Sequence, residues 1–205
     1  MIFLLDMITL RKVHFNHKLI QERVYMNLIS LMFSSTFFTG FLPGKIISKD
    51  GAGGGLMGSI VGFFIQLYFI YYGFGFEADI LLILFSFVLG LICVEKAEKY
   101  MFLKYGKRKR HTGELVDYDY NQTNIDEVHG QAIAGLPIFF FNLTFSWQVT
   151  MLMFSFIAFR IFDVSKPWPI KLIERNIKGS FGIMFDDTIA GLMAGVVVII
   201  TYLSF

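Results

Sequence analysis

The stretch FGIMFDDTIAGLMAG, residues 181–195, sets two adjacent carboxylates, Asp186 and Asp187, at the head of a run that stays apolar to the end of the sequence. One acid at a helix start is accounted for by capping and by the positive end of the helix dipole. Two side by side repel, and keeping both ionised next to hydrocarbon is costly unless a cation relieves them. Three other segments carry similar chemistry. FRIFDVSKPWPIK, residues 159–171, puts Arg160 and Asp163 three apart on one helix face, with Lys166 just before the Pro167-Trp168-Pro169 that must end the helix. NIDEVHG, residues 124–130, opens another apolar run with Asp126 and Glu127. Capping is the simpler account of either acid by itself, and His129 reads as a structural histidine. GAGGGLMGS, residues 51–59, offers a backbone that can approach an anion closely and a helix start with free N–H groups, or equally reads as a flexible loop with Ser59 as a helix cap.

Taken together these groups describe one chemistry. A hard divalent cation takes carboxylate oxygens, while a guanidinium and an ammonium hold phosphate oxygens. That combination is what Mg²⁺-assisted phosphoryl chemistry needs. Mg²⁺ held by a subset of Asp126, Glu127, Asp163, Asp186 and Asp187 would polarise a phosphoryl group and acidify a water, with a remaining carboxylate as base. Arg160 and Lys166 would neutralise charge developing on the phosphate oxygens.

The elements that must position these residues are membrane helices. Of 205 residues 55% are hydrophobic and 18% aromatic, with mean hydropathy +0.61, too apolar for an ordinary soluble domain. Nearly charge-free runs lie at roughly 57–76, 79–94, 128–162 and 187–205, and the third is long enough for two passes. The reading is an all-α polytopic membrane bundle of about five membrane helices. Residues 24–42, diluted by serines, threonines and Asn27, form a weaker, interfacial or half-buried N-terminal helix. Residues 1–23 read as an N-terminal cytoplasmic arm and 24–205 as a single membrane-embedded domain. The arm carries its apolar stretch before its charges and has no small-residue cleavage site, so it is expected to stay on the mature protein.

Basic residues crowd two loops, from Lys96 to Arg110 and from Lys166 to Lys178, which the positive-inside rule places in the cytoplasm. The turns near 74–80 and 145–148 then face the other side, and all five acids fall at cytoplasmic helix ends. The KRKRH run, 107–111, reads as a topological or anionic-lipid contact rather than a nucleic-acid site, because no aromatic platform interleaves it. Cys93 lies inside an apolar run and reads as a buried small residue, which excludes a disulfide framework.

The stretch FRIFDVSKPWPIKLIERNIKGSFGIMFDDTIAGLMAG resembles the C-terminal signature of bacterial phosphatidylglycerophosphatase A, and IDEVHG resembles that family's acidic motif. TGFLPG, residues 39–44, and GGLMGS, residues 54–59, are similar more loosely, so the likeness covers most of the chain after the arm. The resemblance implies Mg²⁺-dependent conversion of phosphatidylglycerophosphate to phosphatidylglycerol and inorganic phosphate at the bacterial inner membrane. It implies a polar site of Asp126, Glu127, Arg160, Asp163, Lys166, Asp186 and Asp187, with Gly58 and Ser59 near the substrate phosphate. Leu56 stands where the family carries threonine and Gly54 where it carries proline, after an added stretch that includes Lys45 to Asp50.

Other chemistries fit less well. A cysteine phosphatase needs an arginine six residues after its nucleophile, and Lys99 occupies that place after Cys93. Histidine-based lipid phosphatases need paired motifs that are absent. A small membrane transport or assembly subunit would place facing charges deep in its spans. A catalytically altered family member is the other alternative, on account of Leu56.

Overall fold

The computed structural model describes residues 17–42, 53–109, 115–116, 120 and 122–204. The N-terminal arm up to residue 16, the Lys45–Asp50 stretch, Gly51 and the Arg110-His111 end of the basic run lie outside the described residues. Among the described residues seven helices follow one another: α1 His17–Ser34, α2 Gly54–Tyr72, α3 Phe76–Tyr105, α4 Ile125–Gly135, α5 Phe145–Ser165, α6 Ile170–Asn176 and α7 Gly179–Leu203. Short 3₁₀ turns lie at Thr39–Phe41 and Leu136–Phe140, and Arg108–Lys109 pairs antiparallel with Leu115–Val116. The fold is an all-α membrane bundle.

Among the described residues four helices are long and apolar enough to cross a bilayer: Gly54–Tyr72, Phe76–Leu103, Phe145–Ser165 and Gly179–Leu203. Their outer faces expose Phe64, Tyr68, Leu81, Phe85, Ile157 and Val196, the surface that lipid would cover. The run at 128–162 does divide into two segments, and the first is short and irregular. Helix α4 has 11 residues, about 16 Å at 1.5 Å per residue, roughly half a hydrocarbon core. The 3₁₀ segment after it carries the chain onward to the far end. There the Phe140 and Phe76 rings stack with centroids 4.9 Å apart, and Phe141 stacks on Tyr202 at 3.8 Å.

An interrupted traverse survives in lipid only when protein encloses its backbone. Helix α4 meets that condition: it packs against α2, α3, α5 and α7, and every residue from Ile125 to Gly135 except Glu127 is buried. Small side chains make the enclosure tight, with Ala134 of α4, Ala158 of α5, and Ala190 and Ala194 of α7 sharing a core with Phe159. Helices α4 and α7 cross where Gly130 meets Gly191. A Cβ on Gly191 would strike the Gly130 carbonyl, and one on Gly130 would strike the Phe159 ring. Helix α1 starts at His17, ahead of the expected boundary at residue 24, and lies along α3 with Ser30, Leu31 and Ser34 buried.

Candidate active site

The α4–α7 crossing decides where the carboxylates meet. Asp126 lies one turn before Gly130, and Asp187 one turn before Gly191, so the same close approach draws their side chains together on the rim side of the crossing. Asp126, Glu127 and Asp187 each present an oxygen within 4.8 Å of the others. Asp126 and Asp187 are only 6% and 4% exposed. Glu127 Oε2 and Asp187 Oδ2 are buried and accept no hydrogen bond among the described residues. Three hard oxygen donors carrying excess negative charge, two of them with unmatched buried oxygens, fit a divalent cation.

The remaining predicted residues surround this group without joining it. Neighbouring helix positions diverge by about 100°, so Asp186 points away from Asp187. Its Oδ2 accepts a hydrogen bond from Lys166 Nζ at 2.6 Å, and the same ammonium reaches Glu174 Oε1 at 3.3 Å. Lys166 closes α5 in a left-handed conformation, φ 42°, its N–H donating to Phe162 O. Asp163 Oδ2 lies 2.7 Å from Arg160 Nη1, as the three-residue spacing predicts, and that same Nη1 donates to Ser59 Oγ at 3.0 Å. Ser59 is therefore not the helix cap. Helix α2 begins at Gly54, and the Ser59 hydroxyl sits in its second turn, near Gly55 O at 3.2 Å.

Glycine supplies clearance on the α2 side. A Cβ on Gly55 would collide with Glu127 Oε1, and one on Gly58 with the Asn124 carbonyl. The glycine-rich start of α2 is thus pressed against the acidic helix, with Gly58 acting through the absence of a side chain. Leu56, at the threonine position, turns outward and is exposed.

Supporting groups surround the site, and the role of Asn124 escaped the sequence reading. Asn124 precedes α4, its N–H donating to Ser34 O at 2.8 Å and its Nδ2 to Thr39 Oγ1 and Gly54 O, both at 3.2 Å. An asparagine just before an apolar-periodic run is a helix-start signal that would have found it. His129 is structural, as expected: its Nδ1 lies 3.1 Å from Ile83 O and its Nε2 3.0 Å from Thr188 Oγ1, tying α4 to α3 and α7. Asp79, expected in a turn on the opposite side, is fully buried, and both its oxygens accept from Gln66 Nε2.

Comparison with known proteins places this arrangement. Residues 32–202 match the family model described as Phosphatidylglycerophosphatase A. A phosphatidylglycerophosphatase A of Haemophilus influenzae is 28% identical over 161 residues, 78% of this chain and 82% of that protein. The Escherichia coli phosphatidylglycerophosphatase A is 50% identical over 40 residues, 20% of this chain and 23% of that protein. A Bacteroides thetaiotaomicron protein named as a candidate phosphatidylinositol-3-phosphatase is 30% identical over 162 residues, 78% of this chain and 87% of that protein. No solved structure matches the chain. The family match runs from the last turn of α1 almost to the end of α7 and takes in every residue of the rim, so this chain belongs to the phosphatidylglycerophosphatase A family.

Proposed function

We propose that this chain hydrolyses the phosphomonoester of phosphatidylglycerophosphate, yielding phosphatidylglycerol and inorganic phosphate, with Mg²⁺ held by Asp126, Glu127 and Asp187 on the cytoplasmic face of the bacterial inner membrane. Family membership makes it a phosphoric monoester hydrolase. The observation that carries the cation reading is the pair of unmatched buried oxygens, Glu127 Oε2 and Asp187 Oδ2, in a group of three carboxylates. Mg²⁺ would supply charge neutralisation at the phosphoryl oxygens and an acidified water.

The protein's own groups have separable tasks. Arg160 carries five N–H donors in a fixed fork, and Asp163 and Ser59 anchor Nη1, which orients the rest of the fork for phosphate oxygens. Asp186 and Glu174 hold the Lys166 ammonium at the rim as a second positive charge. As the bond from water oxygen to phosphorus forms, the phosphorus–ester bond breaks; a rim carboxylate takes the water's proton and returns it to the departing glycerol oxygen, which leaves as the alcohol. Next to the site, Trp168 is 79% and Leu172 51% exposed between exposed Lys171 and Arg175. That pairing of aromatic and basic groups suits an anionic bilayer surface from which a headgroup reaches the rim. The basic loops at this end, against Glu77 and uncharged turns at the other, favour the cytoplasmic side.

The Bacteroides relative motivates a second headgroup as a competitor. Purified protein is given phosphatidylglycerophosphate or phosphatidylinositol 3-phosphate, with Mg²⁺ or with chelator, and released phosphate is measured for the native chain and Asp187→Asn. Phosphate release from the glycerol lipid, lost with chelator and in the variant, is expected. Faster release from the inositol lipid would overturn the substrate assignment, and full activity in chelator would overturn the cation.

A further inference from the structure

We propose that Glu98 of α3 is a positioning residue: it fixes the turn from which the acidic start of α4 emerges and so sets the divalent-cation affinity of Asp126, Glu127 and Asp187. The proposal rests on the cation reading above. Glu98 is 6% exposed near the rim end of a membrane-spanning helix, an expensive place for a carboxyl group. Its Oε1 accepts the Tyr120 N–H at 2.9 Å and lies 3.0 Å from Thr123 Oγ1. The turn is closed on itself, with Thr123 N–H donating to Tyr120 O at 2.9 Å and Thr123 Oγ1 lying 2.7 Å from that carbonyl. Tyr120 is held in turn, its ring packed with Leu31, Ala97 and Met101 and its hydroxyl donating to Gly106 O.

The next residue is Asn124, whose bonds to Ser34, Thr39 and Gly54 grip the chain from the opposite side. Glu98 and the bonds of Asn124 thus hold Tyr120, Thr123 and Asn124 between α3, the end of α1 and the glycine-rich start of α2. Asp126 and Glu127 follow within one helical turn of that clamp. Their oxygens meet Asp187 only if α4 starts at the right place and angle, because Asp187 comes from a separate helix. Glu98 itself stands outside the group of three. Burying a carboxylate is a poor way to gain stability, since an apolar residue of like volume does as well; fixing the backbone amide of a connecting turn is something an apolar residue cannot do.

The probe is Mn²⁺, titrated against the full-length protein in detergent and followed by the loss of the free-ion paramagnetic resonance signal, with metal-free Tm measured in parallel. Glu98→Ala is expected to weaken Mn²⁺ binding by about 10–100-fold, the range for groups that orient metal ligands. Thr123→Val should act in the same direction by less. Glu98→Gln, which keeps the Oε1 acceptor, should stay near native affinity. Glu95→Ala, which removes only the exposed Glu95–Lys99 pair one turn earlier, should leave binding unchanged. Variants that lower metal-free Tm but bind Mn²⁺ like the native chain would reduce Glu98 to a structural role and overturn the proposal. If Glu98→Ala does not fold, Thr123→Val decides by the same criterion. A native chain that binds no Mn²⁺ overturns the cation reading and this proposal together, whereas native binding with an unaffected Glu98→Ala overturns this proposal alone.

Discussion

Two sets of polar side chains sit inside this apolar bundle, and they are built on opposite plans. Deep in the core, Gln66, Asp79, Gln131 and Ser155 come from four different helices and are all completely buried. Gln66 Nε2 donates to both Asp79 oxygens and to Ala132 O, and Gln131 Nε2 reaches Gln66 Oε1 and Ser155 Oγ. At the rim, Asp126, Glu127 and Asp187 crowd together, and two of their buried oxygens receive no donor from the described residues. The deep set meets a single carboxylate with an amide donor, and the one oxygen of these four side chains left without a donor among the described residues, Gln131 Oε1, is a neutral amide oxygen. The rim set gathers three carboxylates while its two nearby bases are engaged by Asp163 and by Asp186. A buried acid that finds a protein donor contributes to architecture, whereas a buried excess of acid calls for a ligand of opposite charge.

Mutation can break that contrast or sharpen it. The largest effect is expected from Asp187→Asn, which removes one rim charge and almost no volume. Phosphate release should fall by about 10³-fold and the cation-dependent rise in Tm should vanish, while metal-free Tm stays at or above native. Gln66→Leu should do the reverse. It strips the donor from both Asp79 oxygens and should cost about 3 kcal/mol of stability in a denaturation assay, with turnover per folded molecule unchanged. A large loss of turnover at native stability would erase the distinction between the two sets.

Asp186→Asn and Lys166→Met test the supporting pair. Each should lower kcat/KM by about tenfold, and the double variant should lose little more than either, since both remove one interaction. Additive losses would mean that Asp186 acts independently, as a further cation ligand. The smallest effect is expected from Ser59→Ala, which leaves Arg160 its bond to Asp163. It should raise KM by about threefold, roughly the worth of one hydrogen bond, without changing cation affinity.

The bundle was legible because hydropathy reports helices that face lipid, and α2, α3, α5 and α7 do so along one side. It reports the enclosed traverse poorly. An apolar run reads alike whether lipid or protein covers it, so the division of residues 128–162 into a short helix, a 3₁₀ turn and a long helix was not visible. The Arg160–Asp163 pair was legible too, because helical spacing settles a contact within one turn. The contacts of Gln66, Asp79 and Gln131 were not, because they join helices whose packing no local pattern specifies. Gln131 does sit four residues beyond Glu127, on the same helix face, and that repeat of polar residues inside an apolar run was the available signal.

The sequence by itself pointed to two adjacent carboxylates against an apolar helical run, and to acids and bases gathered at one end of a membrane bundle; the structure starts that helix at Gly179, so Asp186 and Asp187 lie two turns inside α7 and cap nothing. Only the tertiary structure decided which aspartate does what. Neighbours on a helix point about 100° apart, so one carboxylate of the pair turns to Lys166 and the other to Asp126 and Glu127. The direction each takes is fixed by where α7 crosses α4, at two glycines with no side chain to hold the helices apart.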